Sequence, residues 1–371
     1  MSDPRIIPIV MPKWGLSMKE GKVISWLVDD GTKINPGDQI LEVETDKIAG
    51  AVEATDAGIL RRRVGVPDTT YPVKALIGVI ADPAVPDTDI DSYVASYVLP
   101  AAEDGEEDQE ANYEFVETPA GRLRYAKKGD SGETVLLVHG FGGDIDNWLF
   151  NIDALAEKAT VYALDLPGHG QSSKSLADPS LQGLTAAVAG FMDKLGLGGA
   201  HFVGHSLGGA IAMQMALDHP AKVESITLIS SAGLGSELGS YVDDYVAAQG
   251  RKDLRPVLEM LFSDKNLVTR QLVDEVLKYK RLDGVEPLLR SLAASLFAGR
   301  RQQNLLVAKL AGKLPRTMVI WGGNDQVIPA AHAHNLPGAK VHVIDGAGHM
   351  VFMERSLEAN SLILGHIAGA G

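Results

Sequence analysis

The serine of Gly204-His205-Ser206-Leu207-Gly208 stands where a nucleophile is expected. The apolar run Ala200 to Val203 before it reads as a buried strand, and Ala210 to His219 after it as a helix. Gly-x-Ser-x-Gly at such a junction places the hydroxyl on a tight turn where larger neighbours would clash. The five residues alone could form a glycine-rich structural turn; the flanking strand and helix favour a nucleophile. A serine hydroxyl is a weak nucleophile and needs a base oriented by an acid, in the chain order serine, acid, histidine. Asp325 ends Gly322-Gly323-Asn324-Asp325, and His349 ends Asp345-Gly346-Ala347-Gly348-His349. Both fall in loops at the C-terminal ends of strands, the edge where open α/β sheets carry their sites. The oxyanion of acyl transfer needs two backbone N–H donors. Leu207, next to the serine, is one candidate, and Phe141 in His139-Gly140-Phe141-Gly142-Gly143 is the other.

Competing histidines are less well placed. His139 precedes the serine, His169 belongs to a turn that reads as structural, and His205 is turned away by the geometry of the elbow. His219, His332, His334 and His366 fall on helical or surface stretches. A second reactive group is Lys47, in Glu44-Thr45-Asp46-Lys47-Ile48, between two β-prone runs. At a hairpin tip its amine is available for acylation, although a lysine taken alone is usually a solvated charge.

The elements that must hold these groups divide the chain in two. Residues 3–82 read as all-β, with runs at Val23 to Val28, Gln39 to Glu44, Ala51 to Ala54 and Leu76 to Ile80 separated by glycines. That spacing suits a small antiparallel sandwich or barrel. From about residue 118, apolar strands alternate with helical stretches, as a parallel α/β sheet requires. These strands are Thr134 to Val138, Thr160 to Leu164, Ala200 to Val203, Ser225 to Ser230, Arg316 to Trp321 and Lys340 to Ile344. Residues 234–313 are helical in pattern and read as a cap over the site.

The net charge of −14 over 371 residues is concentrated between these parts. Residues 84–117 carry 11 acidic and no basic side chains, whereas residues 1–83 have a net charge of −2 and residues 118–371 of −1. Residues 83–117 therefore read as an acidic flexible linker. Ile90 to Leu99, richer in Tyr and Val, could dock on a neighbour or form a short helix. An acidic chain is a poor partner for nucleic acid. With no cysteine, disulfides, thiolate metal sites and cysteine nucleophiles are excluded. No run of ~18 apolar residues suggests a membrane span. The N-terminus, broken by Pro4, Pro8 and Pro12, lacks a signal-peptide pattern, so the cytoplasm is the expected location.

Met11-Pro12-Lys13-Trp14-Gly15, Glu20-Gly21, Gly37-Asp38, Glu42-Val43-Glu44-Thr45-Asp46-Lys47 and Ala57-Gly58 together resemble a lipoyl domain, over residues 4–82. The resemblance implies a barrel-sandwich fold and lipoate amide-linked to Lys47. Ile48 stands where the related biotin carriers have methionine, which favours lipoate. Lys74 departs from the pattern, standing where a glycine is expected before the last strand. Residues 118–371 resemble an α/β-hydrolase through His139 to Gly143, Asp165-Leu166-Pro167-Gly168-His169-Gly170-Gln171-Ser172, Gly204 to Gly209, Gly322 to Asp325 and Gly348-His349.

A lipoyl carrier joined to an α/β-hydrolase resembles the acetyltransferase components of bacterial acetoin dehydrogenase complexes. The resemblance implies transfer of an acetyl group from lipoyl-lysine to coenzyme A. It also implies a homo-oligomer working with a thiamine-diphosphate-dependent acetoin dehydrogenase, dihydrolipoamide dehydrogenase and a lipoate-attaching enzyme. The His-x-x-x-Asp-Gly motif of better-known acyltransferase components is missing, and residues 83–117 do not resemble their basic subunit-docking module. The alternatives are a thioesterase or carbon–carbon bond hydrolase with an appended carrier, and a non-catalytic carrier on a hydrolase-like scaffold.

Overall fold

The computed structural model describes residues 3–14, 18–45, 49–100 and 113–369, in two units, Met1–Ala111 and Asn112–Gly371. Among the described residues the first unit has eight strands: β1 (Ile6–Val10), β2 (Glu20–Trp26), β3 (Lys33–Ile34), β4 (Gln39–Glu44), β5 (Ala49–Glu53), β6 (Gly58–Arg63), β7 (Thr69–Pro72) and β8 (Leu76–Ala81). They form two antiparallel four-stranded sheets, in the orders β1-β8-β6-β3 and β5-β4-β2-β7. Met11, Val23, Leu41, Val43, Leu60 and Ile77 are fully buried between them. β4 and β5 pair with Glu44 opposite Ala49; Asp46, Lys47 and Ile48 lie outside the described residues. Lys74 adopts φ +69°, the left-handed region that makes glycine the expected residue there.

The linker expectation meets a difference at Asp87–Ser96, which is a helix, α1. Its Ile90 is fully buried against Ile6, Leu76, Val79, Ala81 and Val85. β8 is therefore covered on both faces, which explains its unbroken apolar sequence. Arg61 pairs with Asp87 and Arg62 with Asp91, both at 2.8 Å, while the Tyr97 hydroxyl donates to the Lys74 carbonyl at 2.9 Å. Exposed ion pairs contribute roughly 0–1 kcal/mol each and a buried isoleucine about 1.5–3, so Ile90 anchors the helix and the charges set its register.

The second unit also begins earlier than residue 118. Its strands are β9 (Tyr113–Thr118), β10 (Gly121–Lys128), β11 (Glu133–Val138), β12 (Ala159–Leu164), β13 (Ala200–His205), β14 (Val223–Ile229), β15 (Arg316–Gly322) and β16 (Lys340–Ile344). They make one sheet in the order β16-β15-β14-β13-β11-β12-β10-β9. β11 to β16 run parallel, and β10 and β9 continue the sheet antiparallel. Packed around it are α2 (Ile152–Ala156), α3 (Leu181–Lys194) and α4 (Leu207–Asp218). Between β14 and β15 lie α5 (Tyr241–Ala247), α6 (Arg251–Glu259), α7 (Arg270–Lys280), α8 (Val285–Leu296) and α9 (Val307–Leu310). α10 (Val351–Glu354) and α11 (Ser356–Ile367) follow β16. Among the described residues no helix is long and apolar enough to cross a membrane.

β11 sits between β12 and β13, so the chain reverses direction across the sheet beside it, and the loops leaving β11 and β13 meet. Asp165, at the end of β12, braces this edge. Its carboxylate takes Arg124 of β10 in a two-pronged pair, at 2.6 and 3.3 Å. It also accepts the N–H groups of Ile145 and Gln171 at 2.9 and 2.7 Å. Arg124 is 4% and Asp165 0% exposed, so removing one partner strands a buried charge. Arg124→Ala is expected to lower the stability of this unit by about 3–5 kcal/mol, read as a fall in its urea-unfolding midpoint. An unfolding free energy within about 1 kcal/mol of the parent's would contradict the bracing role.

Candidate active site

Ser206 occupies the one-residue step between β13 and α4, at φ +52° and ψ −115°. A non-glycine residue in that region costs on the order of 1–3 kcal/mol unless its surroundings over-determine it. They do so here: its N–H donates to the Ile229 carbonyl at 2.9 Å, and its carbonyl accepts from Gly209 and Ala232 at 3.0 Å. The flanking glycines answer to crowding. A Cβ on Gly204 would come 2.4 Å from the Gly208 carbonyl oxygen, and one on Gly208 would come 2.0 Å from that of Val138. Strand and helix can close this tightly only without side chains at both places.

Asp325, after β15, and His349, after β16, are brought together: Asp325 Oδ2 lies 2.8 Å from His349 Nδ1. The two side chains are 0% and 2% exposed. A carboxylate oxygen only accepts, so Nδ1 carries the proton and the other ring nitrogen, Nε2, is left as the base. Asp325 is itself fixed, its Oδ1 accepting the N–H groups of Val327 and Ile328 at 2.8 and 3.0 Å. His205 Nε2 donates to the His349 carbonyl at 3.2 Å, and the two rings lie 4.6 Å apart. Burial, with His349 alongside, holds His205 well below the usual imidazole range and hence neutral.

The loop after β11 lies against the serine: a Cβ on Gly140 would come 2.9 Å from Ser206 Cβ. His139 Nε2 accepts the Leu166 N–H at 3.0 Å, so its Nδ1 carries the proton and donates to the Gly140 carbonyl at 2.7 Å. Gly143 N–H donates to the same carbonyl at 3.2 Å. Across this trans peptide the N–H of Phe141 points the opposite way. The Phe141 ring is enclosed edge-on by His169, Tyr245 and Phe297, with centroids 6.0–6.1 Å away. Leu207 opens α4, so its N–H has no acceptor one turn earlier in the helix.

His139 and His169 are fully buried, and burial pushes both pKa values down. In the same corner the Asp144 carboxyl is pushed up to about 7 by burial and by the neighbouring Asp146 and Asp165. His332 and His366, expected on helical or surface stretches, are buried, and His332 Nε2 lies 2.8 Å from Glu237 Oε2.

Sequence reasoning missed Glu354. Its Oε2 accepts the Gly348 N–H at 2.6 Å, and its Oε1 accepts those of Ser263 and Asp264 at 2.8 and 3.1 Å. Burial raises its pKa and these three bonds oppose the rise. The available signal was a lone acid ending the apolar run Met350-Val351-Phe352-Met353.

Fold and site define a class: a carrier-type β-sandwich followed by an α/β-hydrolase. The alpha/beta hydrolase fold family matches residues 133–356, and a family described as biotin-requiring enzyme matches residues 7–74. A dihydrolipoyllysine-residue acetyltransferase component of the acetoin cleaving system from Cupriavidus necator is 54% identical over 369 residues, covering 99% of both chains. The protein of the same description from Pseudomonas putida is 45% identical over 97% of this chain and 98% of its own. The chain belongs to this family of acetyltransferase components. A 2-hydroxy-6-oxononadienedioate/2-hydroxy-6-oxononatrienedioate hydrolase from Pseudomonas sp is 27% identical over 67% of this chain and 92% of its own. The crystal structure of a meta-cleavage product hydrolase from Pseudomonas fluorescens is 24% identical, covering 70% of this chain and 98% of its own, with a TM-score of 0.63. At that identity the likeness speaks for the fold alone.

Proposed function

We propose that this chain moves an acetyl group from a thioester on Lys47 to coenzyme A, with Ser206 as nucleophile, His349 as base and Asp325 as its orienting acid. The observation that carries this reading is the buried 2.8 Å contact of Asp325 with His349, whose ring packs 4.6 Å from that of His205, the residue before a serine held at a strained elbow. The carrier unit fits its part through the chemistry of one group: Lys47 supplies a primary amine between two paired strands, where a carboxylic acid can be attached as an amide. Lipoate, when bound there, supplies a thiol that carries an acyl group as a thioester.

Ser206 Oγ attacks the acyl carbon of the thioester while His349 Nε2 takes its proton. The carbonyl oxygen, now carrying the charge, faces the N–H groups of Leu207 and Phe141. Collapse breaks the carbon–sulfur bond, and His349 returns the proton to the leaving sulfur. The acetyl group is then an ester of Ser206. The thiol of coenzyme A gives its proton to His349 and attacks this ester. Ser206 leaves with the proton, and acetyl-CoA is released. Residues 97–112 join α1 to β9 and include six acidic and no basic side chains. Such a segment is the proposed tether between carrier and catalyst, and a chain of sixteen residues spans at most about 58 Å fully extended.

The partner enzymes we propose are a thiamine-diphosphate-dependent acetoin dehydrogenase, dihydrolipoamide dehydrogenase and a lipoate-attaching enzyme, acting on a self-associated chain. A hydrolytic reading is favoured by one observation, the 27% identity over 67% of this chain to a 2-hydroxy-6-oxononadienedioate/2-hydroxy-6-oxononatrienedioate hydrolase. The fate of the acyl group separates the two. With acetyl-dihydrolipoamide and coenzyme A, acetyl-CoA is expected to exceed free acetate by at least about tenfold, because a transferase must exclude water from the acyl-enzyme. Acetate as the main product at saturating coenzyme A would favour the hydrolase.

A further inference from the structure

We infer that Glu354 is a positioning residue for His349, holding the loop that carries the base against the inserted helical region. The inference rests on the triad reading above. One peptide plane is central to it. The carbonyl of Ala347 accepts the N–H of Asn324, the neighbour of Asp325, at 2.9 Å. The N–H on the other edge of that plane, from Gly348, is the one that Glu354 Oε2 accepts at 2.6 Å. The loops of acid and base thus share a peptide unit whose orientation Glu354 sets.

The second oxygen of Glu354 reaches into the helical insertion, taking the N–H groups of Ser263 and Asp264. On the far side of His349, Met350 N–H donates to the Leu261 carbonyl at 3.0 Å. His349 is therefore bracketed on both sides by bonds that end on residues 261–264 or on the carboxylate that holds them. The approach is close: a Cβ on Gly348 would come 2.7 Å from the Ser263 nitrogen. Asn324 Nδ2 also donates to Ser263 Oγ, at 2.9 Å, so the segment touches the loop of the acid as well. A carboxylate is suited to this joint because it only accepts and can serve three donors at once. Glu354 is 6% exposed, so water does not replace it readily.

The test is Glu354→Gln in the full-length chain. It keeps the shape but turns an NH2 group toward an N–H. Transfer from acetyl-dihydrolipoamide to coenzyme A is measured per mole of Ser206 that reacts with a fluorophosphonate probe, which removes misfolded protein from the count. The kcat is expected to fall about 10–100-fold with KM changed less than about threefold, because a base displaced by a fraction of an ångström disfavours the transition state more than substrate binding. Glu354→Asp, which restores two acceptor oxygens on a shorter arm, is expected to recover part of the loss and serves as the test if the Gln variant does not fold. An unchanged kcat per reactive serine in folded Glu354→Gln, or in Glu354→Asp where the Gln variant does not fold, would overturn the inference. Ser206→Ala run alongside separates the failures. If it stays active, the triad reading fails. If it is inactive while the Glu354 variants keep full kcat, only the role of Glu354 fails.

Discussion

Ser206→Ala is expected to lower acetyl transfer from acetyl-dihydrolipoamide to coenzyme A by at least about 10³-fold, without loss of the fold. The magnitude follows from what the hydroxyl does in the proposed reaction. Without it no ester forms, His349 has no proton to take, and the N–H groups of Leu207 and Phe141 face a charge that does not develop. Partial rescue by direct attack of coenzyme A is limited by geometry, since the oriented hydroxyl is replaced by a methyl group. The fold is expected to survive because alanine keeps the Cβ, and the bonds holding the elbow are made by backbone atoms: Ser206 N–H to Ile229, and Gly209 and Ala232 to the Ser206 carbonyl. The thermal unfolding midpoint checks this part. Transfer within about tenfold of the parent would remove Ser206 from the mechanism.

Lys47→Arg is expected to separate the two halves of the reaction. Arginine keeps the positive charge but offers a guanidinium in place of a nucleophilic amine, so no amide to lipoate forms and intact mass shows an unmodified chain. Transfer that depends on the attached carrier is then expected to vanish. Transfer from free acetyl-dihydrolipoamide added in solution is expected to persist, because Ser206, His349 and Asp325 all belong to the other unit. The contrast is large, since a tethered substrate is present at an effective concentration on the order of millimolar. A parent chain left unmodified at Lys47 when lipoate and its attaching enzyme are supplied would contradict the carrier role.

How much of this was legible in the sequence depended on how each residue's environment is encoded. β13, Ser206 and α4 were readable because a buried parallel strand is continuously apolar and the glycine spacing records backbone contact. β6 was not, because Arg61, Arg62 and Arg63 give it the look of a solvated stretch; two of those arginines face the carboxylates of α1. Pro8 similarly disguises β1. β9 lies at the antiparallel edge of the sheet with no residue buried, and Glu114 and Glu117 place it with the acidic linker; β10, inside the second unit, sets Arg122, Arg124, Lys127 and Lys128 around Leu123, Tyr125 and Ala126 and lacks the look of an apolar strand. Ile90 to Leu99 could be read as a docked segment or a short helix but not placed, because the partners of α1 lie on β1, β6 and β8 and Ile90 alone among its own residues is buried. Asp325 and His349 could be placed by chain order and loop position, whereas Glu354 could not. Its role lies in three backbone N–H groups from two distant segments, and nothing in the local residue pattern records them. Lys47 stood out through the residues around it, and its position lies outside those described.

The central claim is that one serine receives the acetyl group before coenzyme A does. Full-length protein is incubated with acetyl-dihydrolipoamide without coenzyme A, quenched in acid and digested, and the peptide containing Ser206 is weighed. One acetyl group on that peptide is expected, disappearing when coenzyme A is added before the quench and absent from Ser206→Ala. Efficient formation of acetyl-CoA with that peptide never acetylated, even under rapid quench, would contradict the claim.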